Sequence, residues 1–589
     1  MKDAVWAARG QGLSVMNLQE KSPMDAAASN TLTGAEALVE MLKGHGVKHI
    51  FGLCGDTTLP FYDALFRLDH DIEHILTRDE RSAAYMADAY ARVSGRVGVC
   101  EGPSGGGATY ILPGLVEANE SSVPVLAITS DVSVTSRGRY PLTELDQDAM
   151  MRPLTKWNGV ISQASMLPRM VRAAFRAMTT GRPGSAHLGL PFDVQKAAVS
   201  PDDVFADPAH GTYPAWPVGP DEAAVEAAAE ALITAKCPVI ICGGGVVISG
   251  AESELARLAE RLDIAVATTI SGRGSIAETH DNAVGTVGSN GGVPATRAIV
   301  DEADLVVFIG CRAGSVTTER WRSPGPGGKI VHIDCDPMAI GANYRTEVAV
   351  CADARLALAA LNRVLDSKQS LAKNGGAARA GIARAEKWAA VETLSRSSET
   401  PIRPERLIAD LRSVLDDDAI IVADPGTPCP YISAYYEIRR TGRTVFSNRA
   451  HGALGYSLSA AIGAAFGRPD VKVVSMMGDG SFGFACGELE TVTRYKLPIT
   501  FIVVSNSVFG WIKAGQKAGF GERYYSVDFN ETDHAGVAAA FGLKSWRVTD
   551  PDQLAGVLKQ AVAHDGPTLV DVVCQPLHEA DAPVSEWIA

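Results

Sequence analysis

Residues 473–507, VVSMMGDGSFGFACGELETVTRYKLPITFIVVSNS, decide the fold class. An apolar run ends in Gly478-Asp479-Gly480, a helical stretch follows up to Pro498, and a β-rich run then leads out to Asn506. Strand, helix and strand within this length form a βαβ unit, whose two strands lie parallel. The carboxylate between two glycines then stands at the carboxyl edge of a parallel sheet, where ligands of open α/β folds bind. The glycines let a ligand approach the backbone, and the helix start offers unpaired N–H groups and a positive dipole end to a phosphate. Asp479 and Asn506 would meet beside it as oxygen ligands of a hard cation such as Mg²⁺ shared with phosphate. The plainer alternative is a tight turn at Asp479 and a strand-end cap at Asn506.

The same alternation of short β-rich runs and amphipathic helical stretches continues along the whole chain. Strand candidates include VGVC, VPVLAIT, PVIICG, DLVVFIG, KIVHID, AIIVAD, VKVVSMM and ITFIVVSN. Two segments read as linkers: SPDDVFADPAHGTYPAWPVGP, 200–220, and DSKQSLAKNGGAARAG, 366–381, whose second half is also compatible with a helix. They divide the 589 residues into three blocks of similar size, as expected of a chain too long for one core. The first and third blocks are alike. AYMADAYARVSGRVGVCEGPSGGGATYILPGLVEANESSVPVLAITS and GYSLSAAIGAAFGRPDVKVVSMMGDGSFGFACGELETVTRYKLPITFIVVSN both read small-residue helix, Gly-Arg, strand, Gly-rich loop, helix, Pro, strand. A duplicated α/β domain is implied, unless the likeness is only that of any two βαβ units.

Composition narrows the partners. Sixty-eight acidic against 54 basic residues give a net charge of −14, with no basic block to track a phosphate backbone, so nucleic acid is excluded. The ten cysteines are scattered without a CxxC pair and read as reduced core thiols of a cytoplasmic protein. No apolar run is long enough to span a membrane. The first 30 residues lack the apolar centre of a signal peptide and read as a loose tail.

Taken together, these segments resemble the thiamine diphosphate enzymes of the acetolactate synthase and pyruvate decarboxylase group, whose signature is Gly-Asp-Gly followed one βαβ span later by Asn-Asn. The likeness runs from about residue 32 to 575. It implies an α/β protein of three doubly wound parallel-sheet domains: pyrimidine-binding (31–199), central and Rossmann-like (215–366) and diphosphate-binding (400–575), between tails at 1–30 and 576–589. It implies Mg²⁺ held by Asp479, Asn506 and the backbone carbonyl of Val508. Ser505 stands where the family has its first Asn, a position that is not a metal ligand. Thr427 and Ser481 match positions near the diphosphate, and Gly478, Gly480, Phe509 and Gly510 complete the cofactor surroundings. In AHGALGYSLSAAIGAAFG, Leu454 matches the apolar wedge that bends the cofactor and Gly452 the carbonyl that holds its 4′-amino group. TRDERSAAYMADAYARVSGR resembles the family pattern RHEQAAAHMADGYAR, which makes Glu80 the acid that protonates the cofactor's pyrimidine so that its amino group can deprotonate the thiazolium carbon. In isolation Glu80 reads as a surface acid opening a helix.

The substrate side departs from an acetolactate synthase. GLCGDTTLP replaces GYPGGAILP, putting Asp56 beside Thr57 near the reacting centre, unless Asp56 only caps the next helix. LTELD replaces FQEAD, with Thr143 at the glutamine, and SNSVFGWIKAGQ replaces NNEEQGMVTQWQ, with Trp511 for Met and Gly515 for Trp. With Gly106, these residues form the expected substrate pocket. The resemblance implies a 2-oxo acid decarboxylase or carboligase. Its alternatives are a lyase of 2-hydroxyacyl or oxalyl coenzyme A, over whose ligand the C-terminal tail could close, and a non-catalytic regulatory partner, against which the retained Glu80 speaks. FAD or an ADP-type nucleotide in the central domain, and a homodimer or homotetramer with sites at the subunit interface, are further implications.

Overall fold

The computed structural model describes residues 31–368 and 370–587. The expected tail at 1–30 and the last two residues of the C-terminal segment lie outside the described residues. Three six-stranded sheets, every one parallel, carry the chain. All eight strand candidates are strands, and those at the sheet centres are buried on both faces, as in Leu305–Ile309.

In the third sheet the order is Val445–Ser447, Ile420–Ala423, Val473–Gly478, Thr500–Ser505, Thr568–Val573, Lys544–Val548. The first sheet runs Glu73–Leu76, His49–Gly52, Gly98–Gly102, Val125–Asp131, Ala186–Pro191, Trp157–Val160. Numbered within its own unit, each sheet has the order 2-1-3-4-6-5, so the likeness of the first and third blocks extends to topology. The middle sheet differs. Its order is Ala283–Thr286, Ala265–Thr268, Pro238–Cys242, Leu305–Ile309, Lys329–Asp334, Val348–Cys351, or 3-2-1-4-5-6, the doubly wound dinucleotide-binding order.

One expectation is corrected in part. The segment 366–381 is a connector only to Gly375, because Gly376 opens the helix Gly376–Ser395. That helix packs on strands Ala265–Thr268 and Ala283–Thr286, and its Ala380 and Ala383 join the core of Val239, Ile241 and Phe308. Its buried face combines Gly376, Ala380 and Ala383 with Lys387 and Val391, so the apolar periodicity that marks a helix is faint in the sequence.

The first and third units lock together through helices Glu80–Ser94 and Tyr456–Gly467. Both faces are rich in alanine, and a β-carbon on Gly463 would sit 1.9 Å from the Met86 carbonyl oxygen, so only glycine permits this approach. Buried charges are paired within the first unit at the seam, where Arg92 binds Asp88 (2.8 Å) and Glu117 (3.1 Å), and the third unit adds donors to both carboxylates: Tyr456 to Asp88 (2.5 Å) and the His451 N–H to Glu117 (2.7 Å). Unpaired charges at such depth would cost several kcal/mol.

Candidate active site

Strands Val473–Gly478 and Thr500–Ser505 are neighbours, with Gly478 opposite Val504, so Asp479 and Asn506 leave the sheet side by side at its carboxyl edge. They open into a cavity of about 790 Å³. Every residue of the third block expected at the cofactor lies on its wall. The loop after Ile420–Ala423 contributes Gly426 and Thr427, the loop before Tyr456–Gly467 contributes Arg449, Gly452 and Leu454, and Gly478 to Ser481, Asn506 and Val508 to Trp511 supply the floor. At Gly426, Gly452 and Gly478 a β-carbon would project into open space, so the backbone itself is bare to the cavity. Gly452, at φ 75°, also needs the left-handed region that favours glycine.

Asp479 is 6% exposed. Burial pushes its carboxyl above the usual range, against the pull of three N–H donors, those of Asn506 (2.7 Å), Ser507 (2.6 Å) and Gly480 (2.8 Å). The Asn506 side-chain nitrogen is buried without a partner, which leaves that amide available to an incoming group. Ser505 turns the other way: its hydroxyl donates to Asp571 and meets His534 Nδ1 at 3.0 Å inside the sheet. Asp424, absent from the sequence-based site, anchors the wedge loop by accepting from Gly455 N (3.2 Å) and Ser457 N (2.7 Å), and burial pushes its carboxyl up to about 7.

The residues of the first block gather elsewhere. Glu80 opens helix Glu80–Ser94 yet is 6% exposed, so it is no surface acid, and burial raises its carboxyl above the ordinary range, with Asp79 and Glu101 adding repulsion. The N-cap is Asp79, which accepts from Arg81 N at 2.8 Å. Glycines make the room: a β-carbon on Gly107 would meet Glu80 Oε1 at 2.9 Å, and one on Gly102 its Cγ at 3.2 Å. Next to this pocket lies a chain of hydroxyls. Thr57 Oγ1 meets Ser130 Oγ (2.6 Å) and Ser104 Oγ (3.1 Å), which meets Thr143 Oγ1 (2.7 Å). Thr57 and Thr143 were expected on the substrate side, and Gly106 follows in the same loop; Ser104 and Ser130 were not, because single serines carry no pattern. Asp56 is exposed at the head of a 3₁₀ turn and accepts only from Thr57 N (2.9 Å), without capping the helix Leu59–Arg67. None of these first-block residues lines the cavity of Asp479, whereas Trp511 does.

Comparison with known proteins settles the family. Residues 32–150, 225–361 and 424–572 match the N-terminal TPP-binding, central and C-terminal TPP-binding domains of the thiamine pyrophosphate enzymes. The chain is 35% identical to a probable acetolactate synthase large subunit of Methanococcus aeolicus, over 92% of each protein, and 36% identical to that of Methanocaldococcus jannaschii, again over 92% of each. With acetolactate synthase 2, chloroplastic, of Nicotiana tabacum it shares 33% identity over 92% of this chain and 82% of that one. The chain belongs to the thiamine pyrophosphate enzymes.

The donor set fits the family's cofactor. Bare backbone at Gly426, Gly452 and Gly478 suits a diphosphate and pyrimidine, the unpartnered Asn506 N–H₂ suits an anionic oxygen such as that of a phosphate, and the buried Asp479 carboxylate suits a hard cation. Among the described residues no three His, Cys, Asp or Glu side chains form a metal site, so a cation at Asp479 would need other oxygen ligands. A second cavity, about 480 Å³, lies at the carboxyl end of the middle sheet. Gly243 to Gly245 after its first strand and Gly310 to Ala313 after its fourth line it, which is the switch point of a doubly wound sheet, together with Asp334 and Asp336. Arg449, Ser315 and Val316 line both cavities. No helix among the described residues is long and apolar enough to cross a membrane.

Proposed function

We propose that the protein is a thiamine diphosphate- and Mg²⁺-dependent decarboxylase or carboligase of 2-oxo acids, resembling acetolactate synthase. One observation carries the reading: Asp479, Asn506, Gly452 and Leu454 share a cavity whose exposed glycine backbone fits the cofactor, while Glu80 lies buried outside that cavity against Gly102 and Gly107. When bound, the cofactor supplies a carbon nucleophile that adds to the carbonyl carbon of the substrate. Asp479, Asn506 and the Val508 carbonyl would hold the cation, and Thr427 and Ser481 would lie near the diphosphate. Gly452 would accept from the 4′-amino group, Leu454 would hold the cofactor bent, and Glu80, whose affinity for protons burial raises, would serve as the acid for the pyrimidine. A screen of 2-oxo acids and acyl-CoA thioesters with the reconstituted holoenzyme, products identified by mass spectrometry, tests the reading. Consumption of none of them sinks it.

The separation of Glu80 from the Asp479 cavity supports a site completed by a second copy, as a homodimer or homotetramer. Inactive Glu80→Gln and Asp479→Ala chains, refolded together, should then recover part of the activity, since one kind of mixed site combines two intact halves. Full activity in a sedimenting monomer contradicts the shared site.

The middle-sheet cavity supports a nucleotide, FAD or an ADP moiety. Purified protein should retain flavin absorbance, or bind ADP in a calorimetric titration; if it does neither, the central unit is structural. The continuity of the two cavities at Arg449, Ser315 and Val316 favours a second reading, a coenzyme A thioester lyase, in which a nucleotide seated centrally reaches the cofactor with its acyl arm.

A further inference from the structure

Three tryptophans far apart in sequence, Trp321, Trp511 and Trp587, line the Asp479 cavity. Trp511 and Trp587 are in ring contact, with centroids 5.1 Å apart and planes at 56°. Trp587 reaches this place from the C-terminal segment. A β-carbon on Gly515 would already touch the Trp587 carbonyl oxygen, at 3.4 Å, so a side chain longer than that of alanine would crowd this place.

The segment is tied down residue by residue to the middle unit. Gly291 N donates to Pro583 O (2.8 Å), Val584 bridges Asn290, and Ser585 N donates to Ser289 O (3.0 Å). Ser585 Oγ donates to Glu319 Oε1 (3.1 Å) and Glu586 is clamped by Arg320 (3.1 Å) and Arg322. The loop that offers these partners is itself strained: Glu319, Arg320 and Trp321 follow one another at φ 49°, 58° and 60°, a left-handed run that non-glycine residues seldom adopt. Strain of this kind persists where surrounding contacts over-determine it and clusters at ligand clamps. Here it places Arg320 on the Glu586 carboxylate and Trp321 on the cavity wall.

We infer that Trp587, held by this clamp beside Trp511 and Trp321, is a specificity-determining residue, and that the indole wall selects 2-oxo acids bearing an aromatic side chain over small ones. The inference rests on the 2-oxo acid reading above and goes beyond it by naming the substituent. Indole faces offer a planar ring offset-stacked and edge-to-face contacts that a methyl group does not exploit, and a methyl group would leave them wetted. The acid end of the substrate finds Arg449 on the same cavity. Glu586, which also lines the cavity, is neutralised by its two arginines and so does not repel the substrate carboxylate.

The test compares phenylpyruvate with pyruvate on the holoenzyme reconstituted with thiamine diphosphate and Mg²⁺. In the parent enzyme kcat/KM should favour phenylpyruvate, Trp587→Ala should lower that preference by about 10- to 100-fold, and Trp587→Phe, which keeps a ring, should restore most of it. Indole fluorescence should be quenched by phenylpyruvate, with weaker affinity in Trp587→Ala. An enzyme that turns over both acids with the same preference before and after Trp587→Ala overturns the inference and leaves the 2-oxo acid reading standing. If neither acid is turned over, that reading falls for these substrates and the fluorescence titration decides: equal affinity in Trp587→Ala overturns the indole wall, and lost affinity upholds it.

Discussion

Asp479→Ala should abolish retention of thiamine diphosphate with Mg²⁺, weakening it by about 3–5 kcal/mol, the scale of removing one partner from a buried ion. The carboxylate is the strongest anionic ligand offered by the cavity floor, and Asn506 and the Val508 carbonyl supply only dipoles. Titration calorimetry with Mg²⁺ present measures the effect directly. The substitution has a second consequence, because the same carboxylate accepts from the N–H groups of Gly480, Asn506 and Ser507. Alanine leaves those donors without their partner, and a buried donor left unsatisfied costs about 1–3 kcal/mol. Asp479→Asn separates the two terms in part: its single oxygen can still accept from Asn506 N and Ser507 N, which share one carboxylate oxygen, while the charge and the acceptor of Gly480 N are lost. The cation-holding role predicts that both variants lose cofactor, whereas apo melting falls more in Asp479→Ala. Undiminished cofactor affinity in Asp479→Asn would remove Asp479 from the metal site.

Glu80→Gln should reduce turnover by about 10²- to 10⁴-fold, the usual contribution of a general acid or base. The replacement is close to isosteric in a pocket shaped by Gly102 and Gly107, so the loss should appear without a change in folding. Its signature is uniformity. In the proposed role Glu80 serves the pyrimidine and not the substrate, so exchange of the thiazolium C2 proton, followed by NMR, should slow in the same variant, and every accepted substrate should suffer alike. Normal C2 exchange in Glu80→Gln would assign the residue a different task. Burial raises the Glu80 carboxyl above the ordinary carboxylate range, the direction that favours its holding a proton.

Much of this was legible in the linear chain because parallel sheets write themselves plainly. Central strands buried on both faces must be continuous apolar runs, and VKVVSMM, ITFIVVSN and DLVVFIG are such runs. The edge strands Glu73–Leu76, Trp157–Val160 and Lys544–Val548 are partly exposed and carry no comparable signal. That the floor of the Asp479 cavity gathers in one place was legible for another reason. Its residues sit at fixed offsets from strand ends, and a strand end is a local property of the sequence: Asp479 follows one, Asn506 the next.

Tertiary structure alone decided what depends on distance along the chain. That the first and third sheets share one strand order while the middle one reverses is a matter of which strands pair, and pairing is settled by packing between elements tens of residues apart. Glu80 shows the same limit. Its first-turn position predicts solvent, and only the approach of Gly102 and Gly107 buries it. The hydroxyl chain Thr57, Ser104, Ser130 and Thr143 comes from four separate loops and strand ends. Trp587 is the extreme case. Nothing local in PVSEW marks a wall residue, because its position is set by Arg320 and Arg322 on Glu586, by the bridge at Asn290, and by the space left at Gly515. Local patterns specify elements and their ends, and side chains that converge from distant segments acquire a role only when the core has fixed where those segments meet.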